Sequence, residues 1–167
     1  MAYSTISKPS LHFNTKLYTG TGSENAISGV GFEPSFTWIK NRDTTDWHRL
    51  QDAVRGATKE LYSNANSAEY AQAQSLKSWQ SDGFTLGTLA EVNTSSENYA
   101  SWNWKAGTTG SGTTTGSGTG KAYSYSVNTT AGFSIVKYLG NGTGGHTIPH
   151  HLGAIPKMIM VKRTDSA

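Results

Sequence analysis

The chain has 167 residues, enough for one domain with a real core. Only 35% are hydrophobic and 15% charged, while 19 Gly, five Trp and eight Tyr stand out. Aromatics at 11% argue against a disordered chain, and a net charge of +3 without basic runs gives no support to nucleic-acid or membrane-surface binding. Cys is absent, which excludes disulfides and thiolate metal sites. No run approaches the roughly 18 apolar residues of a spanning helix. Residues 1–10 are polar and include Pro9, unlike a signal peptide.

In chain order, the first predicted element is an alternating strand from Phe13 that ends at Tyr18 before a Gly-rich turn. A second strand, a Gly-x-x-Pro corner at Pro34 and the apolar strand 36–40 follow. Alternation puts Phe36 and Trp38 on one face. Residues 47–54 read as an imperfect strand closing at the Arg55-Gly56 turn, and 60–63 as a short one. Residues 66–78 fit either a turn of helix or an extended loop. Ser81-Asp82-Gly83 is a turn before the strand 84–86, and 99–104 is an aromatic-rich strand. The low-complexity stretch 106–120, AGTTGSGTTTGSGTG, reads as a long exposed loop or hinge.

The opening pattern recurs at the end of the chain. Phe13 and Phe133, Tyr18 and Tyr138, Gly20 and Gly140, and Gly22 and Gly142 match at an offset of 120. Gly31 and Gly153, Pro34 and Pro156, Lys40 and Lys162, and Asp43 and Asp165 match at 122. The chain therefore divides into an N-terminal arm (1–12), a β-sandwich repeat unit (13–132), and 133–167 as the opening strands of a second repeat or the closing strands of the first. Residues 158–162 are expected to repeat the strand 36–40. Their apolar side chains, with those of Phe133, Ile135, Ile148 and Ile155, need cover, from this sandwich, from neighbouring subunits or from chain continuing beyond Ala167. Short strands at about 8–12-residue spacing point to an all-β antiparallel sandwich. Its core is expected to hold Phe36, Trp38, Phe84, Leu86, Trp102, Trp104, Phe133 and Ile135.

The segments GVGFEPSFTWIKNRD, DAVRG, SDGFTLG, YASWNWKAG, NTTAGFSIVKYLGNGT and HHLGAIPKMIMVKRTD together resemble a domain of tail-fibre-like and other appendage proteins of marine tailed phages, notably those of cyanobacteria and pelagic bacteria. The resemblance covers essentially the whole chain. It implies a jelly-roll β-sandwich of the concanavalin/laminin-G type, made in the host cytoplasm and placed in the virion, in a tail fibre or similar surface appendage. It implies other virion proteins as partners, a homo-oligomer with a trimer favoured, and a host-surface glycan as ligand. It transfers no catalytic or binding residue. A purely architectural adaptor or decoration protein is the alternative; a glycan depolymerase ranks third.

No catalytic constellation stands out, and no enzyme activity is expected. The 11 acids include no E-x-D or E-x-E pair on one strand, as jelly-roll glycosidases use. There is no Gly-x-Ser-x-Gly elbow, and the Gly-rich stretch lacks the Lys-Ser/Thr end of a phosphate loop. Asp52 and Arg55 are expected to lock a corner. His146, His150 and His151 lie around Pro149 with no equivalent in the first copy, so neither a metal nor any other cofactor is expected. Trp38, Trp102 and Trp104 read as core. Trp47, with its neighbour His48, and Trp79 have polar surroundings and are the candidate ligand-binding residues.

Overall fold

A computed structural model describes residues 6–166. Of the expected arm, residues 1–5 lie outside the described region, as does Ala167. The fold is all-β, in several antiparallel sheets. A 3-10 turn at Pro9–Leu11 precedes strands β1 (Phe13–Thr19), β2 (Asn25–Ser28), β3 (Phe36–Asn41), β4 (Arg49–Asp52), β5 (Gly56–Tyr62), β6 (Tyr70–Ala71), β7 (Leu76–Gln80) and β8 (Gly83–Leu86). One helical turn, α1 (Ala90–Asn93), leads to β9 (Asn98–Trp104). Then come β10 (Thr108–Thr113), β11 (Thr115–Gly116), β12 (Ala122–Asn128), β13 (Phe133–Tyr138) and β14 (His146–Thr147). Among the described residues no helix is long and apolar enough to cross a membrane.

Two sheets make the sandwich. One has six strands in the order β1-β9-β3-β4-β5-β6, the other three in the order β2-β8-β7. Ile39 and Tyr99 of the wide sheet pack against Ile27, Leu76, Phe84 and Leu86 of the narrow one, with Val30, Phe32 and Val92 closing the core. Trp79 spans the gap, its indole N–H donating to Thr37 Oγ1 at 3.1 Å. Residues 66–78 form no helix; they contribute β6, a turn at 73–75 and the start of β7.

The core is not the one that alternation suggested. Phe84 and Leu86 are buried, but Phe36, Trp38, Trp102, Trp104, Phe133 and Ile135 are only half-buried. On β3 the buried residues are Thr37, Ile39 and Asn41; on β9 Tyr99, Ser101 and Asn103 lie beside them in register. Phe36, Trp38, Trp102 and Trp104 therefore occupy the opposite face of the wide sheet, while Tyr99 stays inside. Period-2 alternation separates the two faces of a strand without saying which one the second layer covers. The outward aromatics cover each other: Trp104 lies 4.8 Å from Phe13, 5.3 Å from Phe36 and 6.0 Å from Phe133, between ring centres. Through Phe133 this cluster ties on a smaller sheet, β10-β12-β13.

The low-complexity stretch is an edge strand and a short ladder, not a loop. β10 runs along β12, and β11 pairs with β14. The glycines account for it. Gly110 faces Tyr125 and Gly112 faces Tyr123 in register. A Cβ at Gly110 would come within 2.6 Å of the Tyr125 hydroxyl and 2.7 Å of its ring, and one at Gly112 within 2.8 Å of the Tyr123 hydroxyl. Glycine lets each ring lie flat across the neighbouring strand, which shields the strand where a side chain is missing. His151 then stacks on Tyr125 at 3.8 Å, so the C-terminal segment is held on the same tyrosines.

The second copy begins like the first and then diverges. β13 and β14 stand where β1 and β2 stand, but 158–162 forms no strand. Ile155 and Met158 are 83% and 81% exposed, and Ile159, Met160 and Val161 are exposed too. In the first copy the equivalent strand, β3, is central, paired with both β9 and β4. No described strand offers residues 158–162 those partners, and an unpaired apolar segment has no ladder to join. The segment is instead tethered at its sides: Lys162 Nζ donates to the Ala65 carbonyl at 2.7 Å and Glu69 N to the Thr164 carbonyl at 2.8 Å.

Gly110→Val is expected to push Tyr125 off β10 and destabilise the protein by about 1–3 kcal/mol, the usual range for overpacking. Hydrogen exchange should show lost protection in β10 and β12 with β3 and β9 unchanged. Deleting ten residues of 106–120 should also cost stability, because it removes an edge strand and not a free loop.

Candidate functional site

The narrow sheet leaves part of the wide one uncovered. The inner face is apolar where Ile39 and Tyr99 meet the narrow sheet and polar over β4 and β5, where Arg49, Gln51 and Glu60 are buried. A cavity of about 390 Å³ opens at this end. Its floor is Arg49 of β4 with Glu60 and Tyr62 of β5; its walls are Thr45, Asp46 and Trp47 of the β3–β4 loop, Tyr70 of β6, Gln72, Leu89 and Glu91 of α1. A second hollow, beside Ala106 and Thr129, has neither an aromatic nor a charged side chain in its lining.

Arg49 is 5% exposed and Glu60 1%. Burying either charge alone would be very costly, and pairing makes it tolerable. Nη1 of Arg49 pairs with Glu60 Oε1 and donates to Tyr62 Oη at 2.9 Å, while Nη2 reaches Glu91 Oε1 at 3.1 Å. The guanidinium also sits 4.7 Å from the centre of the Tyr62 ring, a cation–π contact. Tyr62 donates its hydroxyl to Glu60 at 2.8 Å. Burial and the neighbouring Glu60 carboxylate push the Tyr62 phenol up to about 12. Gln51 extends the network, its amide donating to Ser75 Oγ at 3.1 Å. Nε of Arg49 and Oε1 of Gln51 are buried with no hydrogen-bond partner among the described residues.

Local sequence builds the walls. Asn41, at the end of β3, accepts from Asp43 N and Thr44 N and donates to Asp46 at 2.9 Å and to Glu97 at 2.6 Å. That knot shapes the loop bearing Trp47, which is 47% exposed and packs edge-on to Tyr62 at 5.0 Å. Asn93 is fully buried and donates to the Gly87 carbonyl at 2.8 Å, fixing the helical turn that carries Glu91. Tyr70 is 56% exposed at the rim.

The three predicted residues do not meet. Trp47 lines the cavity. His48 points to the other face of the sheet, where its Nδ1 accepts from the Trp38 indole N–H at 2.8 Å. Trp79 lies between the sheets. Arg49, Glu60, Tyr62, Tyr70 and Glu91 were not singled out by sequence reasoning. One signal could have found three of them, Arg49, Glu60 and Tyr62. Folding 49–62 as a hairpin about Asp52–Gly56 sets Gln51 opposite Glu60 and Arg49 one step along on the same face, opposite Tyr62. Asp52 and Arg55 do lock that corner, at 2.5 Å, with Arg55 also reaching Glu69 at 3.2 Å and the Leu50 carbonyl at 3.0 Å. The three C-terminal His go separate ways: His146 to Thr114, His150 to the backbone of Leu152, and His151 onto Tyr125. Among the described residues no group of three His, Cys, Asp or Glu could hold a metal ion.

The pattern of the family described as a domain of unknown function, DUF7483, matches residues 8–167, and the chain belongs to that family. No curated protein and no solved structure matches it.

Glu60→Ala should cost about 3 kcal/mol, the low end for breaking a buried pair, because Glu91 still neutralises Arg49; denaturant unfolding measures it. Burial, and then the charge of Lys40, hold the His48 imidazole below its ordinary 6.5. The unfolded chain therefore takes the proton first, and stability falls as the pH drops below about 6.5. The melting temperature should drop between about pH 7.5 and about pH 5.5, and drop less in His48→Gln, which has no proton to take up.

Proposed function

We propose that this domain is a non-enzymatic glycan-binding module of a tailed-phage virion appendage, which holds a host-surface saccharide in the Arg49 cavity. The observation that carries the reading is the pairing of exposed rings with a rigid polar floor. Trp47 and Tyr70 present their rings at the rim, above buried Arg49, Glu60 and Tyr62 that are already hydrogen-bonded to one another. Sugar rings carry apolar C–H faces that stack on aromatics and hydroxyls that need fixed donors and acceptors. A cavity of about 390 Å³ suits one or two sugar units. The virion and the jelly-roll topology come from the resemblance of the whole chain to appendage domains, which the sandwich of antiparallel sheets fits.

Binding without catalysis is favoured by what the carboxylates do. Glycoside hydrolysis needs one carboxyl group that donates a proton to the leaving oxygen. Glu60 and Glu91 are both taken up in ion pairs with the single guanidinium of Arg49. The exposed run of Ile155 and Met158 to Val161 supports the remaining part of the reading, assembly with identical chains, as a trimer, or with other virion proteins.

Trp47→Ala and Tyr70→Ala should each weaken binding to host-surface polysaccharide about tenfold or more, about 1.4 kcal/mol, with little change in melting temperature. Titration calorimetry on the two variants checks this; unchanged affinity in both would remove the cavity from the reading. No reducing sugar should be released. Light scattering should show an oligomer, and a monodisperse monomer would count against the assembly claim.

A further inference from the structure

The charges around the cavity bear on which sugars it takes. Its lining contains one cation, Arg49, and three carboxylates, Asp46, Glu60 and Glu91. This corner is thus locally acidic in a chain whose overall charge is +3. We infer that the site selects uncharged and amino-bearing saccharides and rejects acidic ones such as uronates and sialic acids, with Glu91 as the specificity-determining residue. The inference rests on the glycan-binding reading.

An acidic sugar is usually captured by an arginine fork, two parallel N–H donors on one carboxylate. Arg49 has no fork to offer. Nη1 is engaged by Glu60 and Tyr62, Nη2 by Glu91, and one face of the group lies on the Tyr62 ring. What remains is the second N–H of Nη2, and Nε, which is buried with no partner among the described residues. A side-on fork would need Nε, which a ligand carboxylate does not reach while it is buried, so a single N–H of Nη2 is left for a hydroxyl oxygen. The carboxylates are the opposite case, since they keep acceptor capacity. Asp46 Oδ2 accepts from Asn41 and Thr44, whereas Oδ1 has no hydrogen-bond partner among the described residues. Glu91 touches Arg49 through Oε1 alone, and its side chain is 37% exposed. A sugar hydroxyl or ammonium can donate to these oxygens. A ligand carboxylate would meet them as a like charge at short range, where partial burial weakens screening.

The test uses three β-linked tetrasaccharides of similar size: glucosamine (cationic), N-acetylglucosamine (uncharged) and one containing glucuronate (acidic). Each is titrated into the full chain at low salt and at about 0.5 M salt, where the screening length falls to a few ångströms. The amino and uncharged ligands are expected to bind, and the acidic one at least about tenfold more weakly. High salt should weaken the amino ligand and leave the uncharged one unmoved. Glu91→Gln should narrow the gap between amino and acidic ligands by about tenfold. Acidic binding equal to or tighter than uncharged binding would overturn the charge selection and leave the glycan-binding reading standing. Binding of none of the three would sink that reading and the inference with it. If Glu91→Gln fails to fold, the salt series on the unaltered chain still decides the outcome.

Discussion

A buried guanidinium is the constraint around which this end of the sandwich is arranged. Arg49 enters the inner face of β4, where it is almost wholly shielded from water. A charge there persists only if it is paired in the interior. Two elements pair it: β5 through Glu60 and through the hydroxyl and ring face of Tyr62, and the turn of α1 through Glu91, with Nε left without a partner among the described residues. Satisfying the arginine therefore fixes the register of the β4–β5 hairpin and the seat of the helical turn. It also leaves a polar, preformed hollow where a fully apolar core would have closed up.

The width of the two sheets makes that hollow possible. Three strands cannot cover six, so the apolar core concentrates where β2, β8 and β7 meet β1, β9 and β3. Beyond it the inner face is free to be polar, and the outer face of the wide sheet takes the large aromatics. Trp104 is the hub of that outer face, touching Phe13, Phe36 and Phe133, and so joins the small sheet to the sandwich. A residue expected to fill the core instead holds two layers together from outside it.

The two copies of the repeated motif show how context decides structure. Phe13 and Phe133 each end on Trp104. Yet Lys40 belongs to a central strand, whereas its counterpart Lys162 lies in irregular chain. The same pattern makes a strand where β9 and β4 flank it and none where no described strand does, because main-chain pairing and not side-chain propensity stabilises a central strand.

The sequence by itself determined the all-β class, most strand positions, the Asp52–Arg55 corner and the recurrence of the opening motif, since these follow from alternation, turn residues and local pairing. It brought out Trp47, whose polar neighbours marked an exposed ring. It did not reveal that His48, one position further on, turns to the opposite face of the sheet. Only the tertiary structure decided which face of β3 and β9 is inside, because that depends on which sheet lies above them and not on the strands themselves. The order of strands 106–120 was likewise hidden, since glycines that read as flexible are there for the tyrosines of a strand more than ten residues later. The site was hidden for the same reason. Arg49, Glu60, Tyr70 and Glu91 come from four separate elements, and no spacing along the chain encodes the fold that brings them to one cavity.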